Sequence, residues 1–530
     1  MNFPKYKKYG YLALAAAGVL ASSCTKNYES LNTNPSLLTD SQTIAALATA
    51  FGPLEQSIYA DYQTAQNLSA DSYAGYMMAP TYFNSGQNDA NYFMVDSWNA
   101  NGFKDQYNQI MAVVAKFAEA GVKTARPDEW AVALIIEVDA MQRVTDRFGP
   151  IPYSKAGTSI TSIPYDSQDS VYSEFFRQLD TATANLQTYI AANPGSKPLS
   201  SGDLVYGGDY TEWLKFANSL RLRLAMRIVK ADPTTAQAQA EKALTAAGGL
   251  MTVPGDDALF AQSGTRNNDI WLVTASYKNN CMGGALVCYL NGYKDPRLPK
   301  YASPATDPLV PGQYIGIRIG INVGSASTEY AGFSTPNTDS TFIQTAPQYL
   351  MTAAEVWFLK AEAALRGWAN AGTAQADYET GIQTSFLQWG VTSSTYLTDN
   401  TSVEQPYVDP HNAGNNDATD VSTSVIAYNA AGTQEQQLEQ IITQKWIAMY
   451  PDGQEAWADY RRTGYPILFP VVLNNSGGTI STQTQIRRLP YPSIEYTTNG
   501  PAVTNAVSTL LGGPDNGGTR EWWDVNKGNF

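Results

Sequence analysis

AAEVWFLKAEAALRGWANAGTAQADYETGIQTSFLQWG, residues 353–390, holds two helical runs with a turn between them. In the first, Ala353 to Gly367, Trp357, Ala361, Ala364 and Trp368 recur at spacings of three and four, which puts them on one side of a helix. The second, Ala374 to Gly390, ends on a glycine, a residue suited to the left-handed position that closes a helix. Both runs are rich in small residues, so the pair is expected to pack antiparallel at short range.

The layout occurs twice more. Glu212 to Ile228 places Trp213, Phe216, Leu220, Leu224 and Ile228 on one apolar face, and Pro233 to Ala247 follows, stopped by Gly248-Gly249. Asp128 to Phe148 and Ser170 to Ile190 form a further pair, with GPIPYSKAGTSITSIPYD, residues 149–166, as an insertion. Three such hairpins predict a mainly α fold, a tetratricopeptide-type helical-repeat scaffold whose pairs stack into one curved body. Long loop-rich insertions are expected near 72–102 and 252–347, with polar sequence again to about 429, all rich in Gly, Asn, Ser, Thr and Tyr.

The N-terminus has its own logic. Lys5, Lys7 and Lys8 precede the apolar run from Tyr11 to Ala21, which is too short to cross a bilayer and is closed by Leu20-Ala21-Ser22-Ser23-Cys24. Residues 1–23 read as a signal peptide and Cys24 as a lipidation site, so the mature chain is expected to be exported, anchored through lipid and folded as a single domain, 24–530. An ordinary signal cleavage that leaves a cysteine nearby is the alternative.

The formal charge of −14 becomes −17 when those three lysines leave with the signal segment, which makes nucleic acid a poor partner. The only histidine, His411, lies in VDPHNAGNN and reads as a solvated loop residue, so histidine-based triads and zinc sites are not expected. No phosphate loop, dinucleotide fingerprint or calcium loop occurs, and neither a cofactor nor a metal site is expected. Cys281 and Cys288 are too far apart for a disulfide on one helix but could be bridged across a loop at Gly283-Gly284; a bridge and two buried thiols are equally compatible with the spacing. Asp256-Asp257, Asp295 and Asp452 with Glu455 are candidates for a glycosidase carboxylate pair by type alone, although Asp452-Gly453 also reads as a turn into a helix whose first turn suits Glu455.

Binding has better support. Residues 59–107 hold eleven aromatics in 49 positions, about 22% against 12% for the chain: Tyr59, Tyr62, Tyr73, Tyr76, Tyr82, Phe83, Tyr92, Phe93, Trp98, Phe103 and Tyr107. Interleaved amides include Asn84, Gln87, Asn88, Asn91, Asn99 and Asn101. A pyranose offers an apolar C–H face and a rim of hydroxyls, so flat rings beside amides suit sugars. Tyr73, Tyr82, Phe83, Tyr92, Trp98 and Asn101 are the first candidates; an aromatic core cluster is the competing reading. Asn268, Trp271 and Tyr277 form a second group on the 252–347 insertion.

Beyond the hairpins, LNTNPSLLTD (31–40), DRFGPIPYSKA (146–156), EWLKFANSLRLRLAMRI (212–228), KDPRLPKYA (294–302), LMTAAEVWFLKAEAALRGW (350–368), QKWIAMYPDGQEAWADYRRTGYP (444–466) and RRLPYP (487–492) follow one another. In that order they resemble the SusD/RagB family of outer-membrane lipoproteins, and more closely its second, SusD-like branch, over essentially the whole mature chain. The resemblance implies a lipid-held place on the outer membrane, a SusC-like TonB-dependent transporter as partner, and capture of a glycan for import without bond cleavage. It also implies ligand contact between Tyr73 and Asn101, with Tyr82, Trp98 and Asn101 foremost and Trp271 next. The same scaffold selecting peptides, or a surface glycosidase with a carboxylate pair, are the alternatives.

Overall fold

A computed structural model describes residues 40–83, 88–157, 162–323 and 328–530. Cys24, the signal segment, Asn84 and Gln87 lie outside them. The longer helices are α1 (Asp40–Gln56), α2 (Asp96–Gln106), α3 (Ala112–Glu119), α4 (Pro127–Phe148), α5 (Gln168–Ala192), α6 (Tyr210–Arg227) and α7 (Pro233–Leu244). They continue with α8 (Gly284–Gly292), α9 (Ala353–Leu365), α10 (Ala374–Trp389), α11 (Gln434–Met449), α12 (Gly453–Thr463) and α13 (Gly500–Thr509). The pairs α4/α5, α6/α7 and α9/α10 are the three hairpins anticipated from the sequence, and α11/α12 adds another; the architecture is the tetratricopeptide-like helical one. Among the described residues, strand is confined to three short antiparallel pairs. β1 (Met77–Met78) meets β3 (Cys281–Met282), β2 (Ala258–Phe260) meets β6 (Gln348–Met351), and β4 (Ala302–Ser303) meets β5 (Thr335–Pro336). No described helix is long and apolar enough to cross a membrane.

Local chemistry explains the helix ends. Thr352, Thr373, Asp232, Asp209 and Asp452 each cap a helix by accepting a backbone N–H from its first turn. Gly390 ends α10 at φ +60°, as its position predicted. Inside α10, a Cβ at Gly381 would sit 2.9 Å from the Phe358 ring of α9, so glycine there permits the close approach of the two helices. Trp357 and Ala364 turn out only half-buried, because the deeper face of α9 is built from Val356, Phe358, Leu359 and Ala363.

The core carries an ionic layer. Arg223 of α6 bonds Glu355 of α9 at 2.6 Å and lies 3.6 Å from Asp139 of α4. Arg227 pairs with Asp146 of α4 at 3.2 Å and with Glu455 of α12. Lys445 of α11 reaches Asp459 at 2.6 Å and Glu455 at 3.4 Å, and Arg462 bonds Glu362 of α9 at 2.6 Å. All are buried. Burial pushes the Glu455 carboxyl up, but Arg227, Lys445 and Arg223 outweigh it and hold it below the usual range.

Other buried carboxyls lack such cations. Desolvation raises Asp71, Asp89 and Asp257 to about 7 and Glu404 to about 8. A group whose folded pKa is raised favours folding below its unfolded pKa near 4, and that contribution is lost as pH climbs through 7 to 8. Glu362, Glu455 and Asp459, all depressed, lose theirs only under more acid conditions. Thermal melts are therefore expected to show higher stability at pH 5.5 than at pH 8; a Tm that rises across that interval would refute the assignment.

Candidate ligand-binding site

The aromatic-rich segment divides into two layers. Of its eleven rings, seven are buried: Tyr59, Tyr62, Tyr73, Tyr76, Tyr82, Tyr92 and Phe103. Tyr73 packs against Trp457 with ring centroids 5.1 Å apart and against Tyr92 at 6.5 Å. Tyr82, in a satellite cluster with Met78, Cys281 and Ile317, donates its hydroxyl to the Ile321 carbonyl. Tyr73, Tyr82 and Tyr92 thus have protein on their faces, and composition could not separate them from surface rings because core and ligand contact call for the same side chains.

The other layer is accessible. Phe83 and Trp98 are half-buried and meet edge to face, centroids 5.9 Å apart and planes at 83°, and Phe93, 38% exposed, lies between them in sequence. Asp89 organises this loop: it accepts the Val95 N–H at 2.8 Å just ahead of α2, while Asn88 and Asn91 close a short turn over residues 89–91 by reciprocal capping. Trp98 is in the first turn of α2. Asn101, one turn on, donates to Thr64 at 3.0 Å and to Asp61, and so anchors α2 to the π-helical segment Gln63–Asp71. Long π-helical runs are rare and cluster at functional places.

The second group stands against the same support. Asn67 of the π-helical segment donates to Asn280 at 3.3 Å, three residues beyond Tyr277. Asn268 is fully engaged: its Oδ1 accepts the N–H groups of Ile270 and Trp271 at 3.0 and 3.1 Å, and its Nδ2 donates to Ala346, Pro347 and Gln348. Asn268 therefore positions Trp271, which is half-buried, and Tyr277 is 48% exposed. Each group has a neighbouring amide tied to the Gln63–Asp71 segment, Asn101 in α2 and Asn280 beyond Tyr277, and Phe83, Trp98, Trp271 and Tyr277 are the accessible rings among the candidates. Phe93 escaped attention as a site residue because nothing in its neighbours distinguishes it from Tyr92.

The candidate acids have structural work. Asp256 bonds Lys215 at 2.7 Å, Asp257 accepts the Ala353 N–H at the start of α9, Asp295 holds Arg297 at 2.6 Å, and Asp452 holds Arg143 at 3.0 Å. Glu455 sits in the first turn of α12 as expected, but its carboxylate serves the ionic layer. His411 is not a solvated loop residue: its Nε2 lies 2.8 Å from Asp307, and its ring stacks on Phe333 at 5.8 Å. Cys281 and Cys288 are buried free thiols, and burial pushes Cys281 up to about 12.

A family profile described as Susd and RagB outer membrane lipoprotein matches residues 29–524. Among solved structures, a chitin-binding SusD homolog from Flavobacterium johnsoniae is 42% identical, with 91% of this chain and 100% of that one covered at a TM-score of 0.86. SusD homologs from Bacteroides uniformis and Bacteroides vulgatus are 36% and 37% identical, cover 91% of this chain and 99% and 98% of theirs, and reach TM-scores of 0.83 and 0.85. No curated protein matches. The profile spans nearly the whole chain, and the ordered motifs and helical hairpins agree with it: this chain belongs to the SusD/RagB family of outer-membrane lipoproteins.

Proposed function

We propose that this protein is a cell-surface glycan-binding lipoprotein, a single domain held on the outer membrane through lipid on Cys24, that captures an oligo- or polysaccharide and passes it to a SusC-like TonB-dependent transporter without cleaving it. The observation that carries this reading is the accessible pair Phe83 and Trp98, which meet edge to face on a loop ordered by Asp89. Rings held at right angles by a fixed backbone offer a preformed platform for the C–H face of a sugar. The 42% identity to a chitin-binding homolog favours an N-acetylated amino-sugar polymer as cargo. Family membership supports the transporter partner and a binding role, and the structural engagement of the candidate acids fits that role.

Isothermal titration with chitin oligosaccharides tests the platform. Trp98→Ala is expected to weaken binding about five- to tenfold, corresponding to the ~1–1.5 kcal/mol that one stacked ring provides, with little change in Tm. Unchanged affinity, or a large drop in Tm, would show that Trp98 serves the core instead. Tagged protein drawn from outer membranes should bring a large barrel protein with it; recovery of a monomer alone would count against the transporter pairing.

A further inference from the structure

A cavity of about 650 Å³ is walled by α2, α3, α4 and α5; Phe103 and Tyr107 line it, but none of the accessible rings Phe83, Trp98, Trp271 and Tyr277 does. On α4, Trp130, Leu134 and Glu137 line it at spacings of four and three, one stripe of a helix otherwise packed into the core. Met111 and Ala115 line it from the opposite side, and Tyr153 from the loop after α4. Its size suits a ligand of several rings or residues.

Glu137 is the singular group in this wall. It is more than nine-tenths buried, and its Oε2 accepts from Gln178 Nε2 at 3.2 Å, a bond backed by Tyr153 donating to the Gln178 carbonyl at 2.6 Å. Its Oε1 takes no donor from any described residue and faces no described cation at ion-pair distance. Every buried acid of the ionic layer around Glu455 has a basic partner; Glu137 has none. A buried carboxylate without a counter-ion is costly unless something supplies one.

We infer that this cavity binds a ligand carrying a primary ammonium group, which Glu137 accepts through Oε1 while Trp130, Leu134 and Met111 pack against the ligand's apolar or ring face. The site is independent of the glycan platform. Two sources share that chemistry, a deacetylated amino sugar and a short peptide. The charged groups around Glu137 are Glu174 and Arg177 of α5, which pair with each other, with Lys104, Lys123 and Glu495 among the lining residues; both lysines are exposed, where water and salt screen them. Burial first, and Glu174 second, raise the Glu137 carboxyl to about 8, so an ammonium ligand must displace a proton and bind more tightly as pH rises towards 8.

The probe is phenethylamine, titrated calorimetrically into the whole mature protein at pH 6, 7 and 8, with phenethyl alcohol as its uncharged counterpart. One saturable site is expected for the amine, strengthening about ninefold from pH 6 to 7 and about fivefold from pH 7 to 8, and absent for the alcohol. Glu137→Gln should lose at least tenfold in affinity at pH 8 and flatten the pH profile, and Trp98→Ala should change neither. Ala115→Trp, on a half-buried wall position, should obstruct the cavity beside Met111 and weaken binding at least tenfold, and it decides the matter if Glu137→Gln does not fold. A glucosamine dimer and a lysyl dipeptide, run against both variants, tell the two sources apart. Absence of a saturable site, or binding that keeps its affinity and pH profile in Glu137→Gln, overturns the assignment.

Discussion

Glu455→Ala is expected to cost about 3–5 kcal/mol of stability, measured by urea denaturation, or to leave the protein unable to fold. The carboxylate lies among Arg227, Lys445 at 3.4 Å and Arg223 at 3.8 Å, all buried with it. Removing it leaves three cations whose desolvation is no longer offset, and the hole is too small and too charged to relax into an apolar patch. Asp146, Glu355 and Asp459 hold part of the positive charge, which keeps the expected loss finite. A shift under about 1 kcal/mol would mean that water reaches the layer and screens it.

Gly283→Ala is the second large effect, and it is steric rather than electrostatic. Gly283 has φ −73° and ψ 141°, a conformation open to any residue, so alanine loses nothing in the backbone. The added Cβ, however, would lie 2.1 Å from the Gly75 carbonyl oxygen and 2.6 Å from its carbon. Main chain cannot swing aside as a flexible side chain can. Gly283 also donates to Tyr76 at 2.7 Å and Gly284 to Ile317 at 2.7 Å, so separating the chains breaks the pairing that seats β1 on β3. Overpacking of this kind costs about 3 kcal/mol at the upper end of its usual range. Because β1 leads into the Phe83 loop, glycan affinity should fall along with stability. A variant that melts and binds like the parent would show that the two segments have room to separate.

The helical scaffold was legible because its signals are local. Period and small-residue faces are written within single helices, and α6, α9 and α10 fall close to the expected runs Glu212 to Ile228, Ala353 to Gly367 and Ala374 to Gly390. The ionic layer was not, since Glu455 lies 228 residues from Arg227 and nothing near either names the other. The same limit applies to the rings. Tyr82 and Phe83 are neighbours of one chemical class, yet one is buried under Ile321 and the other meets Trp98 at the surface. His411 misled for a related reason: a polar neighbourhood in sequence says little when Asp307 arrives from 104 residues away and Phe333 from another loop. Glu137 carried a faint signal, an acid seven residues after Trp130 and three after Leu134 on a mostly apolar stretch, but acids at such spacing are common and only the empty space beside it gives this one meaning.

The ionic layer also bears on how the chain comes into being. Asp139 and Asp146 emerge early, Arg223 and Arg227 some eighty residues later, and Glu455 and Asp459 only near the end of synthesis. Until that last third arrives, Arg223 and Arg227 have Asp139 and Asp146 but not Glu355 and Glu455, so the early helices hold an incomplete set of ion pairs whose charges still favour water over a closed interior. A chain so arranged resists locking its first helices together before its last ones have been made.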